Sequence, residues 1–282
     1  MTKKDIGKKY IDIAKIIREN NPGVLNKLPG FVIRGIALII RQNKMNYVLN
    51  KYADDYGFDF LEKIIEEFNL KIVIEGKENL PENGRCFFVA NHPFGVIDGL
   101  MITHTVYEKY GEVKAIANDA FEFLPQLRPL VTKVNVYGRT PKEYVKALNE
   151  TYNSDVPITH FPSGEVSRRY NGKVQDAAWQ KSFIAKTISS KRDIVPFYFY
   201  GKNSGLFYTI NMLRQLLGIK VNIELMLLPH EMFRKRNKTI KIKIGEPISY
   251  KSFDESLSHK EWAQKLRLHV YELGENNSID KF

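Results

Sequence analysis

From Lys71 onward, short apolar runs typical of strands alternate with longer segments that carry helical spacing. The strand-like runs are Lys71–Glu75, Cys86–Ala90, Val113–Ala117, Val134–Tyr137, Pro157–Phe161, Ile194–Tyr200, Ile223–Leu228 and Thr239–Ile244. The helix-like segments are Leu100–Tyr110, Pro141–Asn153, Ala177–Ser190, Phe207–Leu217 and Phe253–Leu273. Strands that alternate with helices in this way predict an α/β fold, with a mixed, largely parallel sheet flanked by helices.

Residues 1–70 have a different, helical pattern. A first helix is predicted because apolar residues recur at spacings of four, three and four, at Ile6, Tyr10, Ile13 and Ile17. Two more helices are predicted over Phe31–Tyr47 and Asp54–Leu70. We therefore expect a basic helical extension over residues 1–70 and a main domain over residues 71–282, which suits the length of the chain.

The formal net charge is +11, and it is concentrated in two places. Residues 1–51 hold eleven Lys and Arg against three Asp and Glu, and a second basic cluster comprises Arg234, Lys235, Arg236, Lys238, Lys241 and Lys243. Such surfaces attract anionic lipid or nucleic acid. Aromatic residues follow core-like spacing, which favours an anionic membrane surface and no nucleic acid. The alternatives are a solvated basic surface without a partner and basic helices that pack on the main domain.

Several classes of protein are disfavoured by composition. The longest stretch free of charged residues, from Cys86 to Ile97, is shorter than the ~18–20 residues of a membrane span. Any membrane contact is therefore expected to be peripheral. One cysteine excludes an internal disulfide and fits a reducing compartment, and no secretory leader is evident. Neither a zinc-ligand spacing nor a Walker or dinucleotide loop is present, so we expect no metal and no cofactor.

The first candidate site follows the run Cys86–Ala90, which breaks into the turn Asn91-His92-Pro93-Phe94-Gly95-Val96-Ile97-Asp98-Gly99. His92 is of the type best suited to take a proton near neutral pH, and Asp98 is near enough in sequence to orient it. No Gly-x-Ser-x-Gly elbow supplies a nucleophile, so the pair would activate a hydroxyl on the substrate itself. The alternative is a purely structural histidine at a strand end.

The second candidate site is the turn Phe161-Pro162-Ser163-Gly164-Glu165-Val166-Ser167-Arg168-Arg169. Gly164 permits a backbone conformation closed to other residues, and Arg168 supplies a planar donor fork that suits phosphate or carboxylate. Arg139, just after another strand-like run, is a further candidate anion contact. Ligands collect beyond the carboxyl ends of strands, so both turns are expected to face one crevice. An ordinary turn with exposed charge is the alternative.

Taken together, these residues resemble the glycerolipid acyltransferase superfamily, the PlsC-like lysophospholipid acyltransferases, and above all its bacterial hemolysin-like branch. The resemblance covers roughly residues 70 to 250 and rests on Asn91-His92 with Asp98, Phe161-Pro162-Ser163-Gly164, Ile194-Val195-Pro196, Gly201-Lys202-Asn203-Ser204 and Ile244-Gly245-Glu246-Pro247-Ile248. Two details depart from the usual pattern. Five residues rather than four separate His92 from Asp98, so the turn must absorb one more residue. Ser163 precedes Gly164 and Glu165 follows it, which leaves open an acceptor with an amino-acid head.

The resemblance implies an O-acyltransferase of bacterial membrane lipid synthesis on the cytoplasmic face of the inner membrane. His92 would deprotonate the hydroxyl of a lyso-type lipid, Asp98 would orient His92, and the hydroxyl would attack an acyl thioester of acyl carrier protein or coenzyme A. Backbone amides near the turns would steady the oxyanion. The implied substrate-binding residues are Asn91, Gly95, Arg139, Phe161, Pro162, Ser163, Gly164, Glu165 and Arg168. A lysophosphatidic acid acyltransferase proper, a thioesterase or other hydrolase with the same pair, and a non-catalytic basic protein remain alternatives.

Overall fold

A largely parallel sheet forms the centre of the computed structural model, which describes residues 7–15, 29–117, 124–133, 142–219, 222–275 and 282. In the described part of the chain the sheet has seven strands, which are β1 (Lys71–Glu75), β2 (Cys86–Ala90), β3 (Lys114–Ala117), β4 (Val131–Lys133), β5 (Ile158–His160), β8 (Asp193–Phe199) and β9 (Thr239–Ile244). Their order across the sheet is β1-β9-β8-β2-β5-β3-β4. Only the β8–β9 pairing is antiparallel among these. A separate hairpin is formed by β6 (Arg168–Tyr170) and β7 (Lys173–Gln175).

Helices cover both faces of the sheet. They are α1 (Gly30–Ile39), α2 (Gln42–Lys51), α3 (Gly57–Glu67), α4 (Val96–Tyr110), α5 (Lys142–Asn153), α6 (Lys181–Ser190), α7 (Gly205–Leu216), α8 (Leu228–Arg234) and α9 (His259–Glu275). Every residue of β2 is buried. Phe88 packs with the core beneath α3 and α4, whereas Phe87 packs with the core beneath α6 and α9. Because both faces are covered, the central strands are continuously apolar. The predicted α/β class is confirmed.

The N-terminal helices contribute to the main core. Met45 and Leu49 of α2, and Phe60 and Ile64 of α3, belong to the same buried cluster as Phe88 of β2. For α2 the structure therefore shows the packing on the main domain that the sequence left as an alternative. The boundary between residues 70 and 71 stays a prediction. In the described part of the chain, no helix combines the length and the apolar character that crossing a bilayer requires.

Residues 7–12 are not helical, so that part of the first predicted helix is wrong. Side chains of α2 bind this segment instead. Asn46 accepts from the Ile11 amide and donates to the Ile11 carbonyl, at 2.9 and 2.7 Å. Asn50 does the same for Lys8, at 2.9 and 2.8 Å. These amide side chains satisfy the backbone groups that helical bonds would otherwise use. Ile6 and Ile17 lie outside the described residues.

Two other predicted elements differ. The helix predicted over Phe31–Tyr47 breaks into α1 and α2, because Arg41 takes a left-handed backbone conformation with φ of 59°. The run Ile223–Leu228, predicted as a strand, forms a 3₁₀ turn over Ile223–Leu227 and then enters α8. A short apolar run has no periodicity that separates a strand from a buried helical turn. The predicted strand Val134–Tyr137 lies outside the described residues.

The Asn46 contacts predict a loss of stability on truncation. We expect Asn46→Ala to lower the free energy of unfolding by about 1–3 kcal/mol, because the partly buried amide and carbonyl of Ile11 lose their partner. Urea denaturation followed by circular dichroism measures this. Asn43→Ala, at an exposed position of the same helix, is the control and should change little. Equal midpoints for Asn46→Ala and wild type would contradict the assignment.

Candidate active site

The two turns singled out in the sequence lie side by side. Strands β2 and β5 are parallel neighbours, with Val89 opposite His160, and each runs into one of the turns at its carboxyl end. His92, Phe161 and Gly164 line one cavity at this edge of the sheet. The structure thus brings the two turns to a common crevice, as the topology of an open α/β sheet predicts.

His92 and Asp98 are within reach of each other. Their Nδ1 and Oδ1 atoms lie 3.0 Å apart. The turn between them contains Gly95, whose φ of 87° is open to glycine and disfavoured for other residues. A Cβ atom at this position would lie 2.9 Å from a methyl of Leu228 and 3.0 Å from one of Val166. The turn therefore requires glycine for its conformation and for space.

Asp98 is fully buried in the first turn of α4. Its Oδ2 accepts the amide N–H groups of Phe94 and Gly95 at 2.8 and 3.2 Å, and its Oδ1 accepts that of Gly99 at 2.9 Å. The N-terminal end of a helix favours negative charge, and amide bonds offset the loss of water around a buried carboxylate. The carboxylate is consequently held in one orientation, with Oδ1 towards the imidazole.

The backbone and the ring of His92 are both fixed. Its amide donates to Asp176 Oδ1 at 3.1 Å, and its carbonyl accepts from the Ser167 amide at 2.8 Å. The imidazole stacks on Phe161 with ring centroids 3.9 Å apart. With Nδ1 beside Asp98, Nε2 is the ring nitrogen left for a group in the cavity. This arrangement suits proton abstraction from a bound hydroxyl.

Asp176 supports the site and was not identified from the sequence. It is buried, and its carboxylate accepts from the Ser167 hydroxyl at 2.5 Å, from the Trp179 indole at 2.9 Å and from the His92 amide. Burial raises the pKa of Asp176, and the bonds from Ser167 and Trp179 oppose that rise. Asp176 is 84 residues from His92 in the chain. No local pattern connects the two, so no sequence signal pointed to this residue.

Asn91 holds two strands together beneath the cavity. Its side chain donates to the Phe199 carbonyl at 3.1 Å and accepts from the Phe199 amide at 2.7 Å. It is buried, and it does not belong to the cavity lining. The structure therefore shows Asn91 joining the ends of β2 and β8, and its expected contact with a substrate stays a prediction.

The second turn contributes backbone and apolar surface to the cavity. Gly164 has φ of 71°, and its amide donates to the Phe161 carbonyl at 2.9 Å. Glu165 lines the cavity together with Phe161 and Gly164. The Ser163 hydroxyl donates to the Glu165 carbonyl at 2.7 Å, and the Pro162 carbonyl accepts from the Gln180 amide at 2.9 Å. Ser163 and Pro162 shape the turn and are not among the lining residues.

Arg168 is not at the cavity, in contrast to the sequence-based expectation. Its guanidinium is buried and contacts Glu224 Oε1 through Nε at 3.1 Å and Nη2 at 3.0 Å. It also donates to the Val166 carbonyl. Glu224 is fully buried too, and a buried carboxylate requires such a partner. Arg168 therefore joins the β6–β7 hairpin to the turn before α8. Arg139 lies outside the described residues, and its role as an anion contact stays a prediction.

The later block around Gly201 seats the first turn. A Cβ on Gly201, whose φ is 133°, would lie 2.5 Å from Phe94 Cζ. Asn203 donates to the Phe94 carbonyl at 3.4 Å. Gly201 and Asn203 thus fix the position of Phe94, whose amide donates to Asp98. The sequence showed only that this block resembles the family pattern, whereas the structure shows that it supports the first turn.

The cavity has a volume of about 230 Å³ and mostly apolar walls. Besides the residues of the two turns, its apolar lining includes Leu61, Leu100, Ile116, Leu124, Leu127, Leu130, Val131, Leu225 and Leu228. Polar groups are few: Thr103, Thr159 and His160 join His92 and Glu165. Apolar walls with a few polar groups beside an imidazole favour a hydrocarbon chain as the occupant.

In the described part of the chain, no group of three or more His, Cys, Asp or Glu is placed to hold a metal.

His160, which lines this cavity, predicts a pH dependence of stability. Burial lowers the pKa of His160 from its ordinary 6.5 to about 4. Between these values the unfolded chain binds more protons, so the free energy of unfolding falls as pH falls. From about pH 7.5 to about pH 5, we expect wild type to lose roughly 1–2 kcal/mol more than His160→Gln. Urea denaturation at both pH values tests this, with exposed His259→Gln as the control. Equal losses in wild type and His160→Gln would contradict it.

Comparisons with known proteins identify the family of this chain. A family model described as Acyltransferase matches residues 15–281. A lyso-glycine lipid O-acyltransferase of Bacteroides thetaiotaomicron is 39% identical over 264 residues, covering 93% of this chain and 97% of that protein. Its counterpart in Phocaeicola vulgatus is 38% identical over 264 residues, covering 93% and 95%. The crystal structure of the 1-acyl-sn-glycerophosphate acyltransferase PlsC from Thermotoga maritima covers 88% of this chain and 95% of its own, with 18% identity and a TM-score of 0.46. The chain therefore belongs to this acyltransferase family and is an acyl-transferring enzyme.

Proposed function

We propose that this enzyme moves a fatty acyl chain from an acyl thioester to the hydroxyl of a lyso-type lipid, as an O-acyltransferase of bacterial membrane lipid synthesis. The observation that carries the proposal is the His92–Asp98 pair, 3.0 Å apart, beside a cavity with mostly apolar walls. A general base and an apolar space beside it are two features that this reaction needs.

The acceptor proposed here is a lysolipid with an amino-acid head, of the lyso-glycine lipid class. Two relatives that match almost the whole chain are named for that acceptor. Gly164 and Glu165 line the cavity and belong to the Ser163-Gly164-Glu165 turn, which differs from the usual superfamily block. The alternative of a lysophosphatidic acid acceptor is tested by offering both lipids to the enzyme.

In the proposed mechanism, His92 Nε2 takes the proton of the acceptor hydroxyl. At the same time the hydroxyl oxygen forms a bond to the carbonyl carbon of the thioester. Asp98 stabilises the imidazolium that forms. The tetrahedral intermediate then expels the thiolate by breaking the carbon–sulfur bond, and the imidazolium returns its proton to the sulfur. The products are an ester and a free thiol, and no further reactant is needed.

The proposed acyl transfer runs directly from the thioester to the acceptor, because neither Cys86 nor Ser163 is suited to act as a nucleophile. Cys86 is buried in β2 and does not line the cavity, and burial raises its pKa to about 12. A thiol with so high a pKa is a poor nucleophile at neutral pH. The Ser163 hydroxyl already donates to a backbone carbonyl. An acyl-enzyme intermediate on either residue is therefore not part of the proposal.

We further propose that the enzyme works as a peripheral protein on the cytoplasmic face of the inner membrane, with acyl carrier protein or coenzyme A as the donor. On α1, Phe31 and Leu38 are 69% and 75% exposed, and the basic Arg34 lies between them on the same helix face. A helix with exposed apolar and basic residues suits a lipid headgroup layer. Both donors carry negative charge, which matches the basic composition of the chain.

The mechanism predicts that His92→Ala transfers acyl chains about 10²–10⁴-fold more slowly, because the general base is lost. Purified protein is given an acyl thioester and lyso-glycine lipid, and both the diacyl product and the released thiol are measured. His259→Ala, at an exposed site, is the matched control and should behave as wild type. Equal transfer by His92→Ala and wild type would refute the mechanism. Thiol release that is independent of the acceptor would instead support a hydrolase.

A further inference from the structure

Helix α7 presents an apolar face to solvent. Leu206, Met212, Leu213, Leu216 and the following Leu217 are 43–76% exposed. Their spacing of three and four residues places them on one side of the helix. The opposite side carries Phe207, Tyr208 and Asn211, which are buried against the protein. Packing within the chain thus explains only half of the apolar surface of this helix.

The buried side of α7 packs near α1. Phe207 of α7 and the partly buried Ile36 of α1 belong to the same small apolar cluster. Helix α8 lies next to both: His230 Nδ1 lies 3.0 Å from the Ile39 carbonyl, and Glu231 accepts from the Ser204 amide just before α7 at 2.9 Å. These contacts connect α7 with α1 and leave the leucine face of α7 exposed.

The segments that carry α1, α2, α7 and α8 expose charges of one sign. Residues 29–51 contain Arg34, Arg41, Lys44 and Lys51 and no acid. Between residues 202 and 238 the acids are Glu224 and Glu231, and both are buried. Glu224 contacts Arg168 and Arg214, and Glu231 binds Ser204. The charges that these two segments expose are cations, which complements an anionic surface and disfavours a cationic one.

The surface also adjoins the catalytic cavity. The 3₁₀ turn Ile223–Leu227 follows α7 and packs against it, with Leu227 in the same cluster as Phe207. Leu225 of this turn and Leu228 at the start of α8 line the cavity. A lipid layer in contact with α7 would therefore lie beside the wall of the cavity that holds a hydrocarbon chain.

We propose that the exposed face of α7 inserts into an anionic lipid surface and docks this side of the cavity on the bilayer. Interfacial helices bury their apolar face at the boundary between headgroups and acyl chains. Docking would let a lipid chain pass into the cavity without crossing water. This last consequence rests on the proposed function, whereas the docking itself does not.

Insertion is tested with Leu216→Trp. The two native tryptophans, Trp179 and Trp262, are only 2% and 5% exposed, so a new indole on α7 reports on its own surroundings. With phosphatidylglycerol vesicles we expect a blue shift of its emission and quenching by lipids brominated on the acyl chain. Leu268→Trp, on α9 and 55% exposed, is the matched control and should show neither. Unchanged Leu216→Trp emission would overturn the proposal.

Binding is tested with Leu213→Glu combined with Leu216→Glu. Loss of two apolar contacts and addition of two negative charges should weaken co-flotation with phosphatidylglycerol vesicles by at least about tenfold. Leu268→Glu should float as wild type does. With a short-chain, water-soluble donor and acceptor, the double variant should keep wild-type turnover, because the catalytic groups are untouched. Co-flotation of the double variant equal to wild type would overturn the proposal.

Two further outcomes distinguish lipid docking from dimerisation and from the proposed function. A blue-shifted Leu216→Trp without vesicles, together with dimerisation in sedimentation that the double variant loses, would assign the face to a second copy of the chain and overturn lipid docking. Failure of wild type to transfer acyl chains in any assay, with co-flotation and quenching intact, would refute the proposed function and leave the docking surface standing.

Discussion

The site depends on one buried carboxylate at the start of a helix. Asp98 is fully buried, and three amide N–H groups bind its two oxygens. A buried polar group without partners is strongly destabilising, so the turn that carries these amides must keep its shape for the chain to fold. The same shape leaves Oδ1 3.0 Å from His92 Nδ1. Folding and the orientation of the imidazole are thus secured by one set of contacts.

Surrounding elements keep this turn in place from several directions. Asn91 ties its start to β8, Asp176 binds the His92 amide, and Asn203 binds the Phe94 carbonyl. Lys235 adds a cation 4.3 Å from the centre of the Phe94 ring. These contacts come from parts of the chain far apart in sequence. Rigidity of the reactive groups is what proximity and orientation require of an enzyme, and here it is supplied outside the two motifs.

An apolar cavity lies beside the same groups. Leucine side chains from α3, α4, α8 and the segments before β4 and α8 contribute to its walls, while His92 and Glu165 are among its polar groups. Such a cavity holds a chain by burying it from water, which is not directional and does not select a head group. In the proposed function, choice of the acceptor head is assigned to the turn around Gly164.

Local sequence patterns predicted the strands that build the site and the pairing of His92 with Asp98. They worked there because alternation and Pro/Gly turns mark strand ends, and because parallel strands end at one edge of the sheet. They failed where contacts between distant residues decide. Arg168 looked like an anion contact, but buried Glu224 takes its guanidinium. Residues 7–12 are not helical, because the side chains of Asn46 and Asn50 bind their backbone groups. Asp176 carried no signal at all, since its partners lie in other turns.

In the proposed mechanism, Asp98 acts through His92. A double-mutant cycle on the rate of acceptor-dependent acyl transfer measures this coupling, with His92→Ala, Asp98→Asn and both together. If the carboxylate works only by orienting the imidazole and stabilising its charge, the double variant should be no slower than His92→Ala alone. If the two single losses multiply in the double variant, Asp98 acts independently of His92, and the account is wrong.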